Sequence, residues 1–200
     1  MALSGDALVA FLIAVSFGAG LNVYATVATL GLLARTGLLP LPGNLDLLGE
    51  WWVIGASSAL VAVEFVADKI PGFDLLWNAL QTFVRVPIGA LLAYAATDRL
   101  GPGWQLAAAA GGGTIALLAH GGKMAARAAV TPSPEPFSNF ALSVAEDGFT
   151  VFITWFATHH PFVAAGLVLV LLAILVRLIR WIVRALKTLV ASAGAAIESA

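Results

Sequence analysis

The chain has 200 residues, of which 60% are apolar and only 10% charged, ten basic against eleven acidic, and its mean hydropathy is +0.97. So few charges cannot coat a soluble globule of this size, in which about a quarter of residues are ordinarily charged, and the chain is read as an all-α, polytopic membrane helix bundle of about six hydrophobic segments. A net charge of −1 offers no basic surface to nucleic acid, and the lack of cysteine excludes disulfides, thiolate metal sites, iron–sulfur clusters and cysteine nucleophiles.

The first segment, Ala7 to Ala34, is uncharged over 28 residues, which at about 1.5 Å per residue exceeds a hydrocarbon core of roughly 30 Å. No Lys or Arg precedes it and it is longer than a signal-peptide core, so it reads as one retained helix. Thr36 to Glu50 holds Gly37, Pro40, Pro42, Gly43 and Gly49, a loop near the interface. Trp51 and Trp52 then open a second span to Ala67, ended by Asp68-Lys69-Ile70-Pro71-Gly72. The third, Leu75 to Thr97, is interrupted by Arg85 and Pro87 and is either a kinked crossing helix or two short re-entrant halves.

The fourth segment starts at Trp104, carries Gly111-Gly112-Gly113 and ends near Arg127, before the loop Thr131 to Pro136. The fifth, Phe137 to Thr158, has Glu146-Asp147-Gly148 near its middle and is open to the same break as the third. The sixth, Pro161 to Val176, continues into a face bearing Arg177, Arg180, Arg184 and Lys187, suited to anionic lipid headgroups. Residues 1–190 form one transmembrane domain and 191–200 a disordered cytoplasmic tail. With both termini inside, Lys69, Lys123, Arg127 and the four basic residues after Val176 lie on the cytoplasmic side against Arg35 and Arg99 outside, which favours that orientation.

Polar residues recur at helical spacing, as a buried seam requires in lipid. They are Asn22, Thr26 and Thr29; Glu64 and Asp68; Asn78, Gln81, Thr82 and Arg85; His120, Lys123 and Arg127; and Asn139, Ser143, Glu146 and Asp147. Arg85, Glu146 and Asp147 lie deepest, where an unpaired charge costs about 2.5–3.5 kcal/mol, so they should face the interior and pair. Segments three and five also align at an offset of 61: Asn78 with Asn139, Thr82 with Ser143, Arg85 with Glu146, Pro87 with Gly148, Tyr94 with Trp155. This suggests an internal repeat of 51–98 and 104–158, with Arg85 paired to Glu146 across it.

Gly20-Leu21-Asn22-Val23-Tyr24-Ala25-Thr26, Ala67-Asp68-Lys69-Ile70-Pro71-Gly72, His120-Gly121-Gly122-Lys123 with Arg127, and Ser138-Asn139 with Ser143 and Glu146-Asp147 together resemble the bacterial membrane family called domain of unknown function 4126. The resemblance spans about residues 8 to 160. It implies a multi-pass protein of the bacterial inner membrane and no particular activity.

The expected function is a small transporter or channel-like protein moving an ion, a small anion or an anionic lipid. Its pathway residues are Asn22, Glu64, Asp68, Lys69, Asn78, Thr82, Arg85, His120, Lys123, Arg127, Asn139, Ser143, Glu146 and Asp147. Carboxylates would carry a cation or proton, His120 would relay a proton, and Lys69, Arg85, Lys123 and Arg127 would attract anions. The alternative is a non-catalytic structural or accessory subunit whose polar groups only join helices. An intramembrane enzyme is a weaker reading, since neither H-E-x-x-H nor G-x-S-x-G is present. No cofactor, catalytic residue or metal ligand is assigned, as His159 and His160 point to different helix faces. Besides the bilayer, a second copy is the expected partner, because six short helices make a thin bundle.

Overall fold

A computed structural model of the chain describes residues 3–37, 41–70, 73–130 and 136–198, with side chains described except at 74–75, 128–130, 136–139, 182–183 and 185–198. Seven helices follow one another: α1 (Gly5–Leu21), α2 (Val23–Arg35), α3 (Trp51–Ala67), α4 (Phe73–Ala96), α5 (Pro102–Val130), α6 (Pro136–His159) and α7 (Pro161–Glu198). A 3₁₀ turn at Leu45–Gly49 precedes α3, and no strand occurs among the described residues. Leu76–Ala96, Phe140–His159 and Pro161–Trp181 are long and apolar enough to cross a membrane, whereas α1, α2 and α3 are apolar but shorter. α7 runs to Glu198.

The first segment is not one helix. Asn22 is extended (φ −150°, ψ 100°), and its side-chain oxygen accepts from the Ala25 N–H to cap α2 while its own N–H closes α1 on the Gly18 carbonyl. The chain turns sharply there. Thr26 Oγ1 lies 3.0 Å from where a Gly18 Cβ would stand, although a straight helix holds residues eight apart about 12 Å from each other. Two glycines weaken the last turn of α1 and an Asn favours the cap position, so the break sits where its cost is least.

Segments three and five, in contrast, are unbroken: α4 runs through Pro87 and α6 through Gly148. One proline removes a single donor, whereas unwinding in lipid would orphan several backbone groups. A glycine in a helix costs only about 1 kcal/mol, too little to stop α6. The re-entrant reading of these two segments is therefore corrected, and the discontinuity moves to Asn22.

α1 is apolar on every side and so becomes the central helix, buried from Val15 to Leu21 and packed on α4, α5, α6 and α7. Small residues allow the close crossings. A Cβ on Gly20 would overlap the Ala116 carbonyl, and one on Gly112 would come within 2.7 Å of Ala93 Cβ and 2.9 Å of Ser16 Oγ. Gly111, next to it, faces open space. Gly112→Ala is accordingly expected to lower stability by about 1–3 kcal/mol and Gly111→Ala to leave it unchanged or raise it by up to about 1 kcal/mol, compared by thermal melts in detergent. Around this core the outer faces are apolar, with Phe83, Trp104, Phe162 and Trp181 exposed as a lipid-facing surface would have them.

Candidate functional site

Three helix faces bring the interior charges together. Glu64 and Asp68 lie four apart at the end of α3, and Lys123 and Arg127 four apart on α5, so each pair occupies one face. Arg85 of α4 and Glu146 of α6 complete the set. Arg85, Glu64, Lys123, Arg127 and Asp68 are buried, with fully covered side chains, and the Glu146 side chain is 10% exposed.

The pairing is dense. Arg85 Nη2 donates to Glu64 Oε1 at 2.5 Å, and Lys123 Nζ reaches the same oxygen at 3.0 Å, Asp68 at 3.3 Å and Glu146 at 3.4 Å. Arg127 Nη2 bridges Asp68 at 2.7 Å and Glu146 at 2.6 Å. Glu64 thus meets Lys123 and Asp68 meets Arg127, so α3 and α5 run the same way through the cluster. An acid at a helix C-terminus opposes the dipole, and Arg127 offsets this at Asp68 by donating to both its carboxylate and its carbonyl. Arg85 therefore pairs within α3–α4, not with Glu146 as the offset of 61 suggested.

Polar neutral groups extend the network, which leaves Glu64 Oε2 and Arg85 Nε without a hydrogen-bond partner among the described residues. Asn78 donates to Asp68 at 3.1 Å. His120 Nδ1 lies 2.8 Å from Arg85 Nη1, and its Nε2 lies 3.0 Å from the Asn78 carbonyl and 2.9 Å from Thr82 Oγ1. A guanidinium only donates and a carbonyl only accepts, so the ring is neutral with its proton on Nε2. It therefore positions Arg85 and α4 rather than carrying charge. Tyr24 and Gln81 share a hydrogen bond at 3.2 Å on the α2 side.

The cluster grips the helix break. Lys123 Nζ donates at 3.1 Å to the Leu21 carbonyl, freed where α1 stops, and Asn22 Nδ2 donates at 2.8 Å to Asp147 Oδ1. The other Asp147 oxygen and the buried hydroxyl of Ser143 have no partner among the described residues. Lys69 stands apart from these ion pairs: its ammonium donates to the Phe65 carbonyl at 2.6 Å and lies over the Phe65 ring. The side chains of Asn139 and Lys187 lie outside the described residues. No group of three His, Asp or Glu residues placed to hold a metal ion occurs among the described residues.

Two further polar groups were not picked out from the sequence. Thr150 and Thr154 are fully buried on α6, and with Ser143, Asp147 and Thr158 they form one stripe at spacings of four, three, four and four. That periodicity was available, but hydroxyls within apolar segments are ordinarily helix–helix glue.

The fold and this cluster define an all-α membrane protein in which a buried charge network surrounds a broken helix. The family model described as a domain of unknown function (DUF4126) matches residues 9–181, and the chain belongs to that family. The match extends beyond residues 8–160 and takes in the first half of α7. No curated protein and no solved structure matches the chain.

Proposed function

We propose that the protein is a small transporter of the bacterial inner membrane, with both termini cytoplasmic, that moves an ion along the seam between α1–α2 and α6. The observation carrying this reading is the break at Asn22 set directly against the buried charges. Half-helix ends and freed carbonyls supply ion ligands without side-chain cost, a recurrent arrangement in transporters. Lys123 is nearly equidistant from three carboxylates, so its contacts can be exchanged in small steps. In this reading 51–98 and 104–158 are two related halves whose acid and base positions are inverted. The exposed Arg177, Arg180 and Arg184 beside exposed Leu178 and Trp181 suit α7 to an anionic membrane surface, and a second copy completes the thin bundle.

Complete pairing of Arg85, Lys123 and Arg127 favours a second reading, a structural subunit whose network only fixes helix positions. Flux separates them. Proteoliposomes of purified protein, given sodium, potassium, proton or small-anion gradients, should show a flux that Glu146→Gln and Arg85→Ala each lower about tenfold or more. Folded protein with no flux of any of these solutes would leave the structural reading.

A further inference from the structure

Resting on the transport reading, we infer that the species bound is a small hard monovalent cation, sodium or a proton, and that its ligand is Asp147 at the helix break. The carboxylates in and beside the cluster are not equivalent, Glu64 and Asp68 being buried and Glu146 and Asp147 half-buried. Glu64, Asp68 and Glu146 each meet at least one of Arg85, Lys123 and Arg127, whereas among the described residues Asp147 is met only by the neutral amide of Asn22. Its Oδ2 is almost wholly covered and has no donor among the described residues; Glu64 Oε2 is bare in the same way, but the Glu64 charge is already met by Arg85 and Lys123. A carboxylate oxygen left bare away from water is costly, and a cation satisfies it.

The neighbouring groups agree. Ser143, one turn earlier on α6, and Thr154, two turns later, are fully buried with hydroxyls that meet no partner among the described residues. Thr154 Oγ1 points to the break: it and Thr26 Oγ1 lie 2.9 and 3.0 Å from the point a Gly18 Cβ would occupy. Most buried threonines in helices bond the preceding turn, as Thr150 and Thr158 do here. Thr154 does not, and its free oxygen extends an all-oxygen track from Asp147 along α6.

The charge balance selects the ligand class. An anion would find Arg85, Lys123 and Arg127 already occupied by carboxylates. A divalent ion asks for several carboxylates and six or more oxygens, while one aspartate with hydroxyls and an amide oxygen matches a single positive charge. Soft metals are excluded by the absence of thiols and by the engagement of both His120 nitrogens. The other charged groups bearing on Asp147 are Glu146, which precedes it on α6, and Lys69 from the end of α3, which feels its charge but forms no ion pair with it. Lys69 is thus placed outside the site as a background positive charge.

The test uses the full chain in detergent and in proteoliposomes. In detergent, replacing choline with sodium at constant ionic strength should raise Tm, and the sodium concentration giving half the shift should increase about tenfold or more in Asp147→Asn. Asp46→Asn, at an exposed loop carboxylate, should behave as the native chain. If sodium has no effect, a pH gradient imposed on the proteoliposomes should be dissipated by the native chain and not by Asp147→Asn, which assigns the proton. Should Asp147→Asn fail to give monodisperse protein, Thr154→Val and Ser143→Ala carry the same comparison with weaker effects. A sodium shift and a proton flux that are both absent, or both unchanged by these variants, overturn the inference. Sodium-dependent stabilisation without flux keeps the site and removes transport. Flux indifferent to Asp147 does the reverse.

Discussion

Replacing Arg85 by Met, or Glu64 by Met, lowers stability by about 3–5 kcal/mol, and replacing both together costs less than either alone. Each single change removes one member of a pair 2.5 Å apart whose side chains are fully covered: Arg85→Met leaves Glu64 to Lys123 alone, and Glu64→Met leaves Arg85 facing only the neutral His120. The double change removes both charges and fills their volume with apolar atoms, and Lys123 keeps Asp68 and Glu146 as acceptors. Arg85→Met combined with Glu146→Met provides the contrast. Those residues share no contact and are linked only through Glu64 and Lys123, so their coupling should be clearly weaker than that of Arg85 with Glu64. Thermal melts of the three single and two double variants, with monodispersity by size exclusion, decide between the two pairings. Additivity for Arg85 with Glu64 and strong coupling with Glu146 would contradict the geometry.

That contrast marks how far the sequence could be read. A charge deep in an apolar segment must find a partner, so Arg85, Glu146 and Asp147 were legible as interior groups from their depth, whereas Glu64, Asp68, Lys123 and Arg127 were legible only as polar residues at helical spacing. Which acid meets which base depends on how the helices are arranged around one another, and spacing along one helix carries no such information. The offset of 61 equated Arg85 with Glu146 and suggested contact, whereas the residues that meet directly are Glu64 with Lys123 and Asp68 with Arg127, themselves offset by 59. The two-residue difference arises between these positions: nine residues separate Asp68 from Asn78, and eleven separate Arg127 from Asn139.

The helix break was misplaced for a related reason. Pro87 and Gly148 are the strongest local breakers in their segments, and in water either would end a helix readily. In lipid the surrounding backbone has nowhere else to bond, so the helix persists unless side chains replace the lost partners. Among the described residues Asn22 has them: its own oxygen for the Ala25 N–H, Lys123 for the Leu21 carbonyl, Asp147 for its amide. A broken helix here is a tertiary property, and the Gly18-x-Gly20-x-Asn22 pattern acquires meaning only beside the residues that catch it.

Asn22→Asp is expected to be the most damaging isosteric change in the chain, costing about 3–5 kcal/mol, more than Asn22→Ala. The alanine loses the α2 cap, about 1 kcal/mol, and leaves Asp147 Oδ1 without a donor, a further 1–3 kcal/mol. The aspartate keeps the cap, since a carboxylate oxygen also accepts from the Ala25 N–H. It replaces the amide donor 2.8 Å from Asp147 by a second negative charge, however, and like charges at that distance cannot both persist in a buried site. Combining Asn22→Asp with Asp147→Asn exchanges amide and carboxylate across the same contact. The capping bond, the interhelical hydrogen bond and the total charge are all retained, so the double variant should recover most of the lost Tm. Its functional outcome is informative as well. If the cation requires a negative charge at the break but not specifically on α6, the exchanged pair restores sodium-dependent stabilisation or proton flux that Asp147→Asn alone loses. If the carboxylate must face the Ser143–Thr154 stripe, the exchanged pair folds and remains inactive, which fixes the ion to the α6 side of the seam.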